Sequence, residues 1–168
     1  MILICYDGSL DSRSAIEHAG ELLSGQPATV VTVWEPFIEV LTRTSYGFGM
    51  LPGIVDVEEI DAANRRGAEA RAQEGAELAT NAGLIAQPRT CSQITTVATA
   101  ILSEAAAVDA SAIVMGSRGL TGVKSVLLGS VSHGVIQGAD RPVVVVPSPE
   151  VSAARERSRR ATENHTKS

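Results

Sequence analysis

The sequence predicts an α/β protein, a parallel sheet with helices packed on both faces. Five apolar runs, Ile2 to Tyr6, Ala28 to Trp34, Ile85 to Cys91, Ala112 to Gly116 and Pro142 to Val146, are mostly continuous rather than alternating, as in strands covered on both sides. Stretches with helical periodicity separate these runs. Because strand and helix alternate along the chain, right-handed crossovers wind the strands into one parallel sheet. The chain of 168 residues, 44% hydrophobic and only 3% aromatic, suits one domain with a core of Val, Ile, Leu and Ala.

Each helix has its own start and stop signals. Ser12 or Ser14 starts the first, which carries Ala15, Ile16, Ala19, Leu22 and Leu23 on one face and stops before Gly25. Asp56 caps a long second helix through Ile60, Ala63, Gly67, Ala70 and Leu78, ending before Gly83. Thr95 or Thr96 starts a third, with Val97, Ile101, Ala105 and Val108 at one-face spacing. A fourth runs from about Ser130 to Gln137 and ends near Gly138. The connection from Glu35 to Val55 is longer than ordinary loops, which reads either as a lid or partner surface or as a disordered insertion.

Composition excludes several classes of function. A net charge of −5 disfavours nucleic acid or an anionic membrane surface as the main partner. Residues 151–168 hold five Lys or Arg against two Glu, a charge of +3, which leaves −8 on residues 1–150. We therefore expect a folded domain over 1–150 and a solvated, disordered basic tail over 151–168. Cys5 and Cys91 read as buried free thiols of a reducing compartment, since a disulfide would need adjacent strands. No run reaches the roughly 18 apolar residues of a membrane span, and the start "MILICYDGS" lacks the basic residues of a signal peptide. A cytoplasmic location is expected.

In an open parallel sheet, ligands bind beyond the carboxyl ends of the strands, where the winding reverses. This selects the segments "YDGSLDS" and "GSRGLTG", which follow the first and fourth strands. Gly116 and Gly119 leave the fourth strand, and Gly129, Ser130, Val131 and Ser132 open the fourth helix. Glycines at such points let backbone N–H groups approach a phosphate, and a helix N-terminus favours an anion. The alternative is that the glycines only make turns and Ser130 or Ser132 only caps the helix. A Walker loop is excluded because Lys124 follows Val123 instead of a glycine, and no G-x-G-x-x-G is present. Ser132 does not sit in a G-x-S-x-G elbow.

Asp7 ends the first strand and faces the same crevice, where its carboxylate either accepts from a ribose or adenine amino group or caps the first helix with Ser9 or Asp11. Val33 and Met115 at strand ends are core residues or the apolar walls for a flat base. Arg118 and Lys124 are the cations nearest the glycine segments, as charge-assisted phosphate donors or as solvated loop residues. His18, His133 and His165 show neither metal-ligand spacing nor a catalytic partner. No catalytic residue and no metal site are assigned.

"ICYDGSLDSRSAIEHA" at the start and "IVMGSRGLTGVKSVLLGSVSHGVIQGADRPVVVVP" near the end resemble the universal stress proteins. The resemblance covers about residues 1–147, and G-x-x-G, nine residues, then G-[ST] is the pattern of the nucleotide-binding branch. It implies a Rossmann-like sheet of five parallel strands, a homodimer formed through the last strand, and ATP (or AMP or ADP) in the crevice. A divalent cation such as magnesium would bind through the phosphates. By that resemblance Asp7 and Val33 meet the adenosine, and Met115 and Gly116 lie beside the ribose and base. Cys5 and Tyr6 approach the adenine through backbone, and Gly119, Gly129, Ser130, Val131 and Ser132 take the phosphates. The bulky Tyr6 departs from the family's pattern, and "TCSQITTVATAIL" lacks its Gly-acidic-Pro signature. The implied function is a nucleotide-sensing or regulatory module of the stress response. The alternative is an enzyme, either a slow ATP hydrolase or a relative of the ATP pyrophosphatases, whose S-G-G-x-D-S loop "DGSLDS" echoes at Gly8, Asp11 and Ser12.

Overall fold

The computed structural model describes residues 1–43, 56–93, 95–119, 128–147, 150 and 152–157. The elements are β1 (Ile2–Cys5), α1 (Leu10–Leu23), β2 (Pro27–Trp34), α2 (Phe37–Arg43), α3 (Val57–Asn81), β3 (Ile85–Ser92), α4 (Val97–Ala107), β4 (Ala112–Gly116), α5 (Ser130–Gly138) and β5 (Val143–Val146). The five strands are all parallel, in the order β3-β2-β1-β4-β5. The expected α/β class and its five strands are therefore present. The winding reverses between β1 and β4.

Alternation along each strand sends side chains into two separate cores. Ile2, Ile4 and Tyr6 of the first strand run, with Val30 and Val114, pack against Ala15, Ile16 and Ala19 of α1 and Ala76 and Ala79 of α3. Leu3, Val31, Ile113 and Met115 face the other way, against Ile101 and Ala105 of α4 and Val135 of α5. Leu3 and Ile4 are wholly buried, each stabilising the fold by about 2 kcal/mol. Helix α3 carries few large apolar residues, and it approaches the sheet closely through the small residues Ala68, Ala72, Gly75, Ala76 and Ala79. This spacing follows one helical face.

Three helices start on side chains that accept a backbone N–H: Ser9 for α1, Asp56 for α3 and Thr96 for α4. The start of α1 therefore precedes the Ser12 or Ser14 that apolar spacing selects, because its first residue, Leu10, is 60% exposed and joins no apolar stripe. Helix α2 occupies part of the Glu35–Val55 connection and is tied to α3 by Phe37 N–H, which donates to Asp61 Oδ1 at 2.6 Å. Residues 44–55 of that connection, Lys124 and His165 lie outside the described residues. Of the basic tail, residues 152–157 are helical, and the rest also lies outside.

Candidate functional site

Beyond the carboxyl ends of β1 and β4 lies a cleft of about 710 Å³. All twelve residues singled out in the sequence line it: Cys5, Tyr6, Asp7, Val33, Met115, Gly116, Arg118, Gly119, Gly129, Ser130, Val131 and Ser132. Ser12, Val31, Glu35, Val97 and Ile101 complete the lining, and apart from Ser12, which belongs to the "DGSLDS" segment, no motif spacing points to them. These five reach the cleft from α1, β2 and its end, and α4, so only the packing of the layers brings them in.

The cleft has two chemically distinct ends because β2 and β4 flank β1 on opposite sides. On the β2 side Cys5, Val31, Val33, Val97 and Ile101 present an apolar surface, with the Glu35 carboxylate held at its edge by the Gln93 amide at 3.2 Å. On the β4 side stand Gly119 and the start of α5. Helix α5 begins at Gly129 with no side-chain cap, unlike α1, α3 and α4. The first-turn N–H groups of a helix lack intrahelical acceptors, so this end carries donors and a partial positive charge.

The turn after β1 sets the position of Asp7. Gly8 adopts a φ of 85°, a left-handed conformation that side chains disfavour, and Ser9 N–H returns to Asp7 Oδ1 at 3.0 Å. The other oxygen, Oδ2, lies so near Gly119 that a Cβ added there would be 2.7 Å from it. Gly116 serves a different purpose. A Cβ at Gly116 would lie 2.6 Å from the backbone carbon of Asp11, so glycine there lets α1 seat against β4.

Ser117, 2% exposed, joins three elements. Its N–H donates to Val146 O of β5 at 2.8 Å, and its carbonyl accepts from Gly129 N–H at 2.8 Å and from the Ser132 hydroxyl at 2.8 Å. The Ser132 hydroxyl is thus committed inside the protein, and only its backbone N–H remains as a donor of the helix start. Arg118 likewise does not stand alone, since its Nε lies 3.5 Å from the buried Asp11 carboxylate.

Tyr6 lines the cleft, but its ring packs in the opposite core. A Cβ at Gly75 of α3 would lie 2.7 Å from that ring, and the Arg13 guanidinium sits 5.9 Å from its centroid. The bulk that departs from the family pattern is therefore directed away from the apolar end. Cys5 and Cys91 are free thiols on strands separated by β2, and both are half-buried rather than fully buried as the sequence suggests. Burial pushes Cys5 well above the usual thiol range and Cys91 up to about 11. Among the described residues no group of three or more His, Cys, Asp or Glu side chains is placed to hold a metal ion. No described helix is long and apolar enough to cross a membrane.

These features define an open α/β protein with a polarised crevice at its topological switch point. The sequence matches the universal stress protein family over residues 1–147, and the chain belongs to that family. It is 34% identical over 152 residues to universal stress protein YxiE of Bacillus subtilis (strain 168), covering 86% of this chain and 97% of that one. Among solved structures, it is similar to a universal stress protein from Archaeoglobus fulgidus in complex with dAMP (TM-score 0.56, 23% identity, 86% of this chain and 95% of that one). It is also similar to a universal stress protein in complex with cAMP (TM-score 0.59, 22% identity, 88% of this chain and 96% of that one).

Proposed function

We propose that this protein is an adenine-nucleotide-binding regulatory module that senses or buffers ATP under stress. The observation that carries the reading is the uncapped N-terminus of α5, which opens into a cleft whose far end is apolar. Donors without a side-chain cap at one end and aliphatic walls at the other suit a ligand with an anionic head and a flat apolar body. Backbone N–H groups of Ser130, Val131 and Ser132 would hold the phosphates, with Gly119 and Gly129 leaving room for them. Asp7 would accept from the ribose or base between the two ends, and Val33 and Met115 would help enclose the base.

Relatives solved with dAMP and cAMP support the same class of ligand. The described cleft supplies no cluster of carboxylates for a metal, so a divalent cation such as magnesium would be carried in on the phosphates. The proposal extends to a cytoplasmic location, to residues 1–150 as the working unit with 151–168 as an appendage, and to a homodimer formed through edge strand β5. Val144 on that strand is 36% exposed.

The test is to denature freshly purified protein, identify any released nucleotide by chromatography, and measure thermal unfolding of the emptied protein with ATP. A ligand at 100 times its Kd stabilises the folded state by about 2.7 kcal/mol. Released adenine nucleotide and a clear upward shift are expected. Neither release nor any shift at millimolar ATP would refute the proposal.

A further inference from the structure

The wall of the cleft at Ser117–Gly119 is held by a residue of α1 that does not line the cleft. Asp11 is 5% exposed, and its Oδ2 accepts from the Ser117 hydroxyl at 2.7 Å, from Arg118 N–H at 3.1 Å and from Arg118 Nε at 3.5 Å. A buried carboxylate keeps such bonds only because they offset its desolvation, and bonds to a charged acceptor are short and strong. Ser117 in turn receives Gly129 N–H and the Ser132 hydroxyl on its carbonyl. The order of connection runs from Asp11 to Ser117 to the start of α5.

We infer that Asp11 is a positioning residue, which presets the Ser117–Gly119 turn and through Ser117 the α5 start, so that the N–H groups facing the phosphates are in place before ligand arrives. It also anchors the Arg118 guanidinium beside the turn. The inference rests on the proposed nucleotide site and adds to it a residue 106 positions in sequence from its partner Ser117. Preorganisation of this kind appears in affinity as ordering that need not occur on binding.

The test compares the full chain with Asp11→Asn, Asp11→Leu and Ser117→Ala, by titration with ATP and by hydrogen exchange without ligand. Both short bonds end on one oxygen, so the amide oxygen of Asn can replace it, whereas Leu keeps the branching at Cγ with somewhat greater bulk and offers no acceptor. Asp11→Leu is expected to speed exchange of the Arg118 amide and to weaken ATP about tenfold or more. Asp11→Asn should restore both to within about threefold of wild type. Ser117→Ala, which leaves the carboxylate in place, should show an intermediate loss and covers the case in which the Leu variant does not fold. Unchanged Arg118 exchange in Asp11→Leu and Ser117→Ala, or faster exchange with unchanged ATP affinity, overturns the inference. So does a loss in Asp11→Asn equal to that in Asp11→Leu. A wild-type chain that binds no adenine nucleotide overturns the proposed function and the ligand half of the inference, while exchange without ligand still decides whether Asp11 sets the turn.

Discussion

Replacing Gly129 by Asp should make the protein more stable and a poorer binder of phosphates. Gly129 has φ −72° and ψ 162°, an extended backbone open to any residue. A Cβ there would meet Arg118 Cα and Ser117 O at 3.4 Å and Ser132 Oγ at 3.6 Å, contacts that need shifts of a few tenths of an ångström at most. An Asp at this N-cap position would direct its carboxylate to the first-turn N–H groups that lack a side-chain cap. The gain over glycine is a few tenths of a kcal/mol from capping, with about 0.3–1 kcal/mol more from the helix dipole. For a chain of this length that raises Tm by about 1–4 °C.

The same carboxylate opposes a phosphate bound at the helix start. Two charges about 4 Å apart interact by about 4 kcal/mol at an effective dielectric of about 20. Screening at an open cleft lowers this to roughly 2–3 kcal/mol, which weakens ATP about 30- to 150-fold. Gly129→Asn supplies the cap without the charge and should lose less. Calorimetric titration with ATP and with adenosine, beside thermal unfolding, separates the effects, because adenosine has no phosphate and should bind Gly129→Asp almost as wild type does. Wild-type ATP affinity in Gly129→Asp, or equal losses for ATP and adenosine, would refute the reasoning.

The other predictions concern neighbouring parts of the site. Gly116→Ala forces a methyl against the α1 backbone and should cost about 1–3 kcal/mol in denaturant unfolding; an unchanged midpoint would show that α1 need not seat so closely. Ser132→Ala removes the hydroxyl that donates to Ser117 O, and should cost about 1 kcal/mol of stability while changing ATP affinity less than about threefold. A tenfold loss of affinity with unchanged stability would reassign that hydroxyl to the ligand. The two thiols, held above their unfolded values by burial, contribute stability that is complete below about pH 8.5 and is lost as pH rises toward and through the folded values. Stability measured by equilibrium unfolding should fall from about pH 9 upward, and less steeply in Cys91→Ala; stability flat to pH 11 would contradict the desolvation of the thiols.

Much of the fold is legible because its signals are local. Ala112–Gly116 is a continuous apolar run that suits a covered strand, Val143–Val146 is as apolar although its place at the sheet edge leaves Val144 36% exposed, and the alternation with helices favours parallel pairing. Asp56 is visible as a cap from type and position alone, and Thr96 as one of two adjacent candidates with Thr95. Ser9 is less so, since the exposed Leu10 hides the true start of α1. Helix α2 has seven residues and no strong stop signal, so the sequence offers only the length of the Glu35–Val55 connection, which fits a lid or partner surface as well as a disordered insertion.

The candidate site divides in the same way. Glycines and hydroxyls after β4 are close in sequence, so their shared location follows from one turn. The roles of individual groups do not. That Gly116 makes room for α1, that the Ser132 hydroxyl is spent on Ser117, and that Asp11 holds Arg118 are contacts between distant segments. The aliphatic wall from Val31, Val97 and Ile101 requires knowing which face of α4 meets the sheet at that end.

The most direct measurement is a crystal structure of the protein grown with ATP. The account predicts phosphate oxygens on the backbone N–H groups of Ser130, Val131 and Ser132, and the base across β1 against Val31, Val33 and Val97. A nucleotide bound elsewhere, or one with its base at the α5 start and its phosphates at the Val33 end, would contradict it.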